Sequence, residues 1–208
     1  MLVFMTDYSE WDAIYRQVPV NELGWELRKP RPILVEQLKK GLIHRGSALD
    51  LCCGLATNTI YLGQNGFATT GLDISKTALK AANNRTRKAG MQVGLLNGSF
   101  VDLPFAAGVF SFVFDMGCFH HVAVEDRSSF IAGVHRVLKD GGNYLLTCFS
   151  YRNGVGWNHF TKGQIINLFQ GHFRLENMEH YASLEGDDVT RFFYTVLMRK
   201  KSLVKGEG

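Results

Sequence analysis

Residues 47–73, SALDLCCGLATNTIYLGQNGFATTGLD, constrain the fold more than any other stretch of the chain. Ala48, Leu49 and Leu51 surround Asp50 in a short apolar run that enters the turn Cys52-Cys53-Gly54-Leu55-Ala56. This is the pattern of a buried parallel strand feeding a tight loop. From Thr57 the apolar positions Ile60, Tyr61 and Leu62 predict a helix that stops at Gly66, and residues 67–72 form a second apolar run closed by Asp73. The result is a β-α-β unit with an acid ending each strand. Such a unit suits a nucleoside, because a loop of small residues lets backbone N–H groups approach the ligand and the second acid can accept both ribose hydroxyls. The dinucleotide pattern G-x-G-x-x-G would place Cys52, Gly54 and Thr57 at its glycines, and only Gly54 keeps one. A structural turn in some other α/β protein is the alternative reading.

The rest of the chain keeps the same alternation. Tyr8, Trp11, Ile14 and Tyr15 fall at helical spacing in residues 6–16, and a punctuated linker at 21–31 feeds a helix at 32–43 with Pro32 in its first turn. Ser75 is placed to cap a helix over 76–89 that ends at Gly90. Strands follow at 92–96 and 110–116, then a helix at 127–138, a turn at Gly141-Gly142, a strand at 144–149 and a helix from Thr161 to Phe169. Two last runs, 173–181 and 192–199, alternate β-formers around a helix-free loop at 183–190, so they should pair as an antiparallel hairpin on the sheet edge. The expected architecture is α/β, a doubly wound parallel sheet covered on both faces. It is read as a single domain over 1–208, with an N-terminal helical lid at 1–45, a core at 46–200 and a basic tail at 201–208.

With 46% hydrophobic and 20% charged residues the chain is an ordinary globular one, and disorder is excluded as its default. A net charge of +4, with its one dense basic run at Arg199-Lys200-Lys201, gives no footprint for nucleic acid. No run approaches the roughly 20 apolar residues of a membrane span, and residues 1–5 are too short for a signal peptide, so the expectation is a cytoplasmic protein with no membrane partner. Cys52, Cys53, Cys118 and Cys148 show no C-x-x-C pairing, which predicts reduced thiols and no metal site.

Four stretches carry a family resemblance. The pattern [DE]-x-G-x-G-x-G lies on Asp50, Cys52, Gly54 and Ala56, with two glycines replaced by small residues; 97–114 follows G-D-A-x-x-L-P-F with Ser99 in place of the acid and Ser111 in place of a second one. Residues 115–122, DMGCFHHV, lead through Glu125-Asp126-Arg127 to the fourth stretch, VLKDGG at 137–142. From about residue 11 to 199 the chain resembles the class I S-adenosylmethionine-dependent methyltransferases. Its Cys-Phe-His-His run, Trp-Asp and Gly-Trp-Glu segments and Cys-Phe-Ser strand end resemble the thiopurine and tellurite-resistance group, whose members often carry Arg where Met116 stands. The resemblance implies a seven-stranded sheet and S-adenosyl-L-methionine as cofactor. It places Asp50, Cys52, Cys53, Gly54 and Ala56 at the loop, and Asp73 with Ile74 at the ribose. Ser99 and Phe100 fall at the adenine, and Asp115, Met116 and Gly117 are further cofactor-binding positions.

The sulfonium methyl is already activated, so the protein's tasks are to align acceptor, methyl and sulfur, to exclude water and to take a proton where the acceptor has one. The expected acceptor is a small molecule. Trp25, Cys118, His120 and His121 are its candidate contacts, with His120 the candidate base and Cys118 a contact for a soft acceptor such as a thiol or metalloid. Each has a structural alternative: Trp25 and Cys118 as core, either histidine as a backbone cap. Adjacent histidine side chains are expected to point apart, with at most one facing the methyl. Trp11, Tyr15 and Trp25 together predict an aromatic lid. A nicotinamide oxidoreductase shares the β-α-β unit but does not explain LPF, DMGCFHH and LKDGG together. A nucleic-acid amino-methyltransferase calls for an Asn/Asp-Pro-Pro-Tyr tetrad where this chain has Asp115-Met116-Gly117-Cys118. A non-catalytic cofactor-binding protein is the remaining alternative, and the oligomeric state is left open with a monomer favoured.

Overall fold

Leu49 and Leu51 are buried because β1 (Ser47–Leu51) lies mid-sheet, parallel to β2 (Ala68–Asp73) on one side and β4 (Phe110–Met116) on the other. The structure is a computed structural model and describes Tyr8, residues 10–156 and residues 158–202. With β3 (Gly94–Asn97), β5 (Leu138–Phe149), β6 (Phe173–Leu184) and β7 (Thr190–Lys200), the strands form one seven-stranded sheet in the order β3-β2-β1-β4-β5-β7-β6. The β5–β7 and β7–β6 pairs are antiparallel; every other pair is parallel. This is the expected doubly wound α/β fold with its terminal hairpin. Strand order reverses between β1 and β4, and a doubly wound sheet opens its ligand crevice outside the C-terminal ends of such strands.

The helices are α1 (Glu10–Gln17), α2 (Pro32–Lys39), α3 (Thr57–Gln64), α4 (Lys76–Lys88), α5 (Arg127–Val137) and α6 (Lys162–Phe169). Local chemistry starts several of them: Ser75 Oγ accepts the Ala78 N–H ahead of α4, Thr161 and Gln164 close a reciprocal capping box on α6, and Pro32 occupies the first turn of α2. Side chains of β4 alternate between two cores, Val113 packing with Phe119, Phe130 and Phe169 on one face, Phe112 and Phe114 with Leu34, Leu62 and Leu145 on the other.

Several boundaries differ from expectation. The helix over 32–43 stops at Lys39, with Gly41 at φ +70° just beyond it. The Gly141-Gly142 turn sits inside a longer β5: Leu138 pairs with Phe110 and Asn143 with Phe112, so the residues between bulge out of the ladder, with Gly141 at φ +71°. The hairpin strands extend to Leu184 and from Thr190, which shrinks the loop between them to a tight turn. The N-terminal helix begins at Glu10; residues 1–7 and Ser9, and the tail beyond Ser202, lie outside the described residues. Among the described residues no helix is long and apolar enough to cross a membrane.

Candidate active site

The loop after β1 follows a left-handed backbone at alternate residues, with φ of +51° at Cys52, +52° at Gly54 and +62° at Ala56. Only glycine adopts that region without cost, so Cys52 and Ala56 hold the path of a glycine-rich loop against local strain. At Gly54 space decides as well, since a Cβ there would stand 2.7 Å from the Tyr15 hydroxyl. Asp73, at the end of β2, accepts the Gly54 N–H on one carboxylate oxygen and the Ser75 N–H on the other, both at 2.8 Å. Burial raises its pKa, and the two N–H donors work against that rise. Asp50 is different. It faces the core, accepts the Thr59 hydroxyl at 2.6 Å and fixes β1 to α3, and burial pushes its pKa up to about 7.

Across the crevice, Asp115 is fully buried and accepts the Tyr144 hydroxyl at 2.8 Å and the backbone N–H groups of Cys118 and Phe119. It shapes the loop that follows β4, and burial again moves its pKa up to about 7. That loop passes Gly117 at φ +94° and enters a single 3-10 turn, Phe119–His121. The turn corrects the expected divergence of the two histidines: both rings line the cleft, with centroids 4.5 Å apart. His120 stacks on Phe149 at 3.7 Å, and its Nδ1 accepts the Phe149 N–H at 3.2 Å. In a neutral imidazole that accepts this bond the proton sits on Nε2. His121 meets the Trp11 ring edge-on at 4.8 Å. Burial lowers both pKa values, that of His121 to about 4.

The cleft brings together Asp73, Ile74, Phe100, Met116, Gly117 and Cys118, roofed by Trp11, Tyr15 and Trp25. A second, polar lobe adjoins it, lined by Lys29, Arg31, Cys53, Gly54, Thr57 and Asn58; Tyr15, Trp25, Cys52 and Met116 border both. The two serines that stand at acid positions of the family pattern bond locally. Ser99 accepts the Val101 N–H with its hydroxyl, and Ser111 stands at the start of β4, opposite the site, where its hydroxyl donates to the Ser47 carbonyl. Sequence reasoning missed Phe149 behind His120, Lys29 and Asn58 in the polar lobe, and the ion pair of Arg31 with Glu185. None of these carries a local motif.

The thiol expectation is also corrected. Cys52 and Cys118 form a disulfide, Cα to Cα 5.6 Å across 66 residues of sequence. The cause is register: Leu51 and Asp115 are partners on β1 and β4, so the residues just past the strand ends meet. Cys53 and Cys148 remain free and buried, and burial raises both thiol pKa values.

Fold and crevice thus define a doubly wound protein with an aromatic lobe beside an acid-ended strand and a polar lobe beside a small-residue loop. Those two lobes fit an elongated cofactor with a nucleoside at one end and a charged amino acid at the other: Gly54 leaves room at the loop, and Asp73 retains lone pairs for hydroxyl donors. Residues 48–142 match a family model described as a methyltransferase domain. A demethylmenaquinone methyltransferase of Bacillus velezensis is 32% identical over 191 residues, covering 88% of this chain and 78% of that protein. The chain belongs to the class I S-adenosylmethionine-dependent methyltransferases. An uncharacterized methyltransferase of Synechocystis is 42% identical over 98 residues; the match takes in 47% of this chain and 44% of that protein, so less than half of that relative's length is spanned. The fold is shared with 1,6-didemethyltoxoflavin-N1-methyltransferase of Burkholderia thailandensis, solved with its acceptor and S-adenosylhomocysteine, at TM-score 0.73 and 18% identity over 94% of this chain and 87% of that one.

Proposed function

We propose that the protein methylates a small molecule whose nucleophilic atom arrives already ionised, a thiolate or chalcogen anion or the anion of an acidic hydroxyl. The observation that carries this reading is the lack of a competent base among the histidines of the cleft. His120 presents a donor, and His121 is held neutral with a pKa of about 4, far too weak to take a proton from an ordinary alcohol or ammonium group. Bound S-adenosylmethionine supplies an electrophilic methyl on a positively charged sulfur. Trp11, Trp25 and Phe100 give the cleft aromatic walls, and water displaced from them on binding would strengthen attraction between an anionic acceptor and that charge as the two approach. The Nε2–H of His120 is the group that orients such an anion without quenching it. The names of two similar proteins carry small organic acceptors, demethylmenaquinone and 1,6-didemethyltoxoflavin, which supports a small molecule over a macromolecule.

The test is S-adenosylhomocysteine release against a matched panel of thiols, selenols, phenols of graded acidity, alkyl amines and alcohols, with RNA, DNA and protein alongside. Turnover should rise with acceptor acidity until the acceptor is fully ionised. Methylation confined to amines, alcohols or macromolecules would overturn the reading.

A further inference from the structure

The carboxyl edge of the sheet carries another pocket, at the end of β5, which shares no lining residue with either lobe of the cleft. Phe149, Arg152, His159, Val189, Arg191 and Phe192 line it. Its walls are tied down. The chain leaves β5 through a 3-10 turn, Tyr151–Asn153, and the Asn153 side chain docks on the backbone of Phe192 as a neighbouring strand would, donating to its carbonyl at 2.7 Å and accepting its N–H at 2.8 Å. The Ser150 N–H donates to the same carbonyl at 2.9 Å. Beyond the turn, His159 Nδ1 bonds the Gly154 carbonyl at 2.8 Å; a carbonyl oxygen only accepts, so that nitrogen carries a proton.

Two guanidinium groups line this pocket, and one is already neutralised. Arg191 donates to both carboxylate oxygens of Asp187 at 2.6 Å. Arg152 enters no ion pair among the described residues, and its guanidinium lies over the Phe192 ring, 5.8 Å from the centroid. Its planar fork of donors suits a carboxylate. Phe149 and Phe192 are half-buried and Val189 is exposed, so the pocket offers apolar surface for a ligand to cover. The Asn153 amide is spent on backbone, which leaves one uncompensated charge rather than the cluster of donors that a phosphate dianion calls for. We propose that the pocket is a second ligand site, separate from the cofactor cleft, that takes a small aromatic carboxylate, its ring against Phe149 and Phe192 and its carboxylate on Arg152. Phe149 also stacks on His120 at 3.7 Å, so this ligand rests on the ring that backs the cleft without entering it.

Calorimetry on the full chain tests this with benzoate and 2-naphthoate, each beside its uncharged amide, and with phenyl phosphate. The carboxylates should bind at least about tenfold more tightly than their amides, the size of one charge-assisted hydrogen bond. Arg152→Gln, at an exposed position and checked for native circular dichroism, should bring that ratio to about one. Arg152→Lys should retain part of it, and Arg87→Gln, at an exposed position of α4, should leave it unchanged. In spectra of the histidine rings, assigned with His159→Gln and His121→Gln, 2-naphthoate should shift His159 more than His121. Equal affinity for acid and amide, a preference that survives Arg152→Gln, tighter binding of phenyl phosphate, or shifts at His121 as large as those at His159 would overturn the site. So would the absence of binding by either carboxylate at millimolar concentration. No readout here depends on methyl transfer, so the site stands or falls apart from the function proposed above.

Discussion

Gly54 meets two demands at once, a positive φ and a hydroxyl 2.7 Å from where a Cβ would go. Gly54→Val should therefore abolish cofactor binding by calorimetry while circular dichroism stays native; retained binding would show that the loop does not cradle the ligand. Asp73 was legible for a different reason: an acid ending the second strand of a β-α-β unit has a fixed address. Asp73→Ala should weaken S-adenosylmethionine binding by about 1.5–3 kcal/mol, the range for hydrogen bonds to a charged group. What a local pattern could not convey was pairing between distant residues, as at Cys52 and Cys118, or the tight turn that aims His120 and His121 into one cleft. His121 has a pH signature. Its folded pKa of about 4 lies below the unfolded value of about 6.5, so the unfolded chain takes up the proton first. Its contribution to stability is complete above about pH 6.5 and is lost as pH falls toward 4. In urea titrations at pH 7.5 and 4.5, His121→Gln should lose less stability on acidification than the parent. An equal loss would place the neutral imidazole elsewhere.

Among the elements, the tip of the β6–β7 hairpin clasps the segment between α1 and α2. The Arg31 guanidinium donates twice to Glu185, at 2.7 and 2.8 Å, and once to the Trp25 carbonyl at 2.7 Å, while Gly186 N–H donates to the Gly24 carbonyl. Trp25 in turn donates its indole N–H to the Tyr15 hydroxyl at 3.1 Å, so a turn 154 residues from Arg31 sets the roof of the cleft. Both charged side chains are buried, and removing one partner of such a pair leaves the other uncompensated. Glu185→Ala should cost about 3–5 kcal/mol in urea unfolding, and Arg31→Met with Glu185→Leu should recover most of it. A loss below about 1 kcal/mol would mean that the pair is solvated, since exposed pairs contribute about that much or less. The sequence displayed the caps at Ser75 and Thr161 because each is settled within three residues. It hid this clasp because an arginine in a proline-bordered linker and a glutamate in a turn both read as ordinary surface.

On the scale of the whole molecule, strand order and crevice follow from alternating apolar runs, which is why the architecture was readable from Leu49 and Leu51, Leu72, Phe112 and Phe114, and Leu145. The seating of α1 was not. Its Asp12 carboxylate accepts the Ser75 hydroxyl at 2.8 Å and the Thr77 N–H at 2.9 Å, which docks the lid on the first turn of α4 immediately beyond Asp73. A sequence pattern gives the helix its apolar face but not the helix end it will cap. The consequence changes what the lid should do. Tyr15 and Trp25 border both lobes, so on the proposed reading the N-terminal segment walls the cofactor as well as the acceptor. Deleting residues 1–24 leaves Gly54 and Asp73 in place but removes Trp11, Tyr15 and the Asp12 dock. Cofactor affinity should then fall by about 1–2 kcal/mol, as for one or two lost polar contacts. Turnover should fall by more than about a hundredfold, because acceptor and methyl lose their alignment and their shelter from water. Calorimetry and S-adenosylhomocysteine release, run on a deletion variant whose circular dichroism shows the sheet intact, separate the two losses. Undiminished turnover, or a loss of turnover no greater than the loss of affinity, would show that the aromatic roof holds the cofactor alone and that the acceptor is enclosed by the β4 side of the cleft.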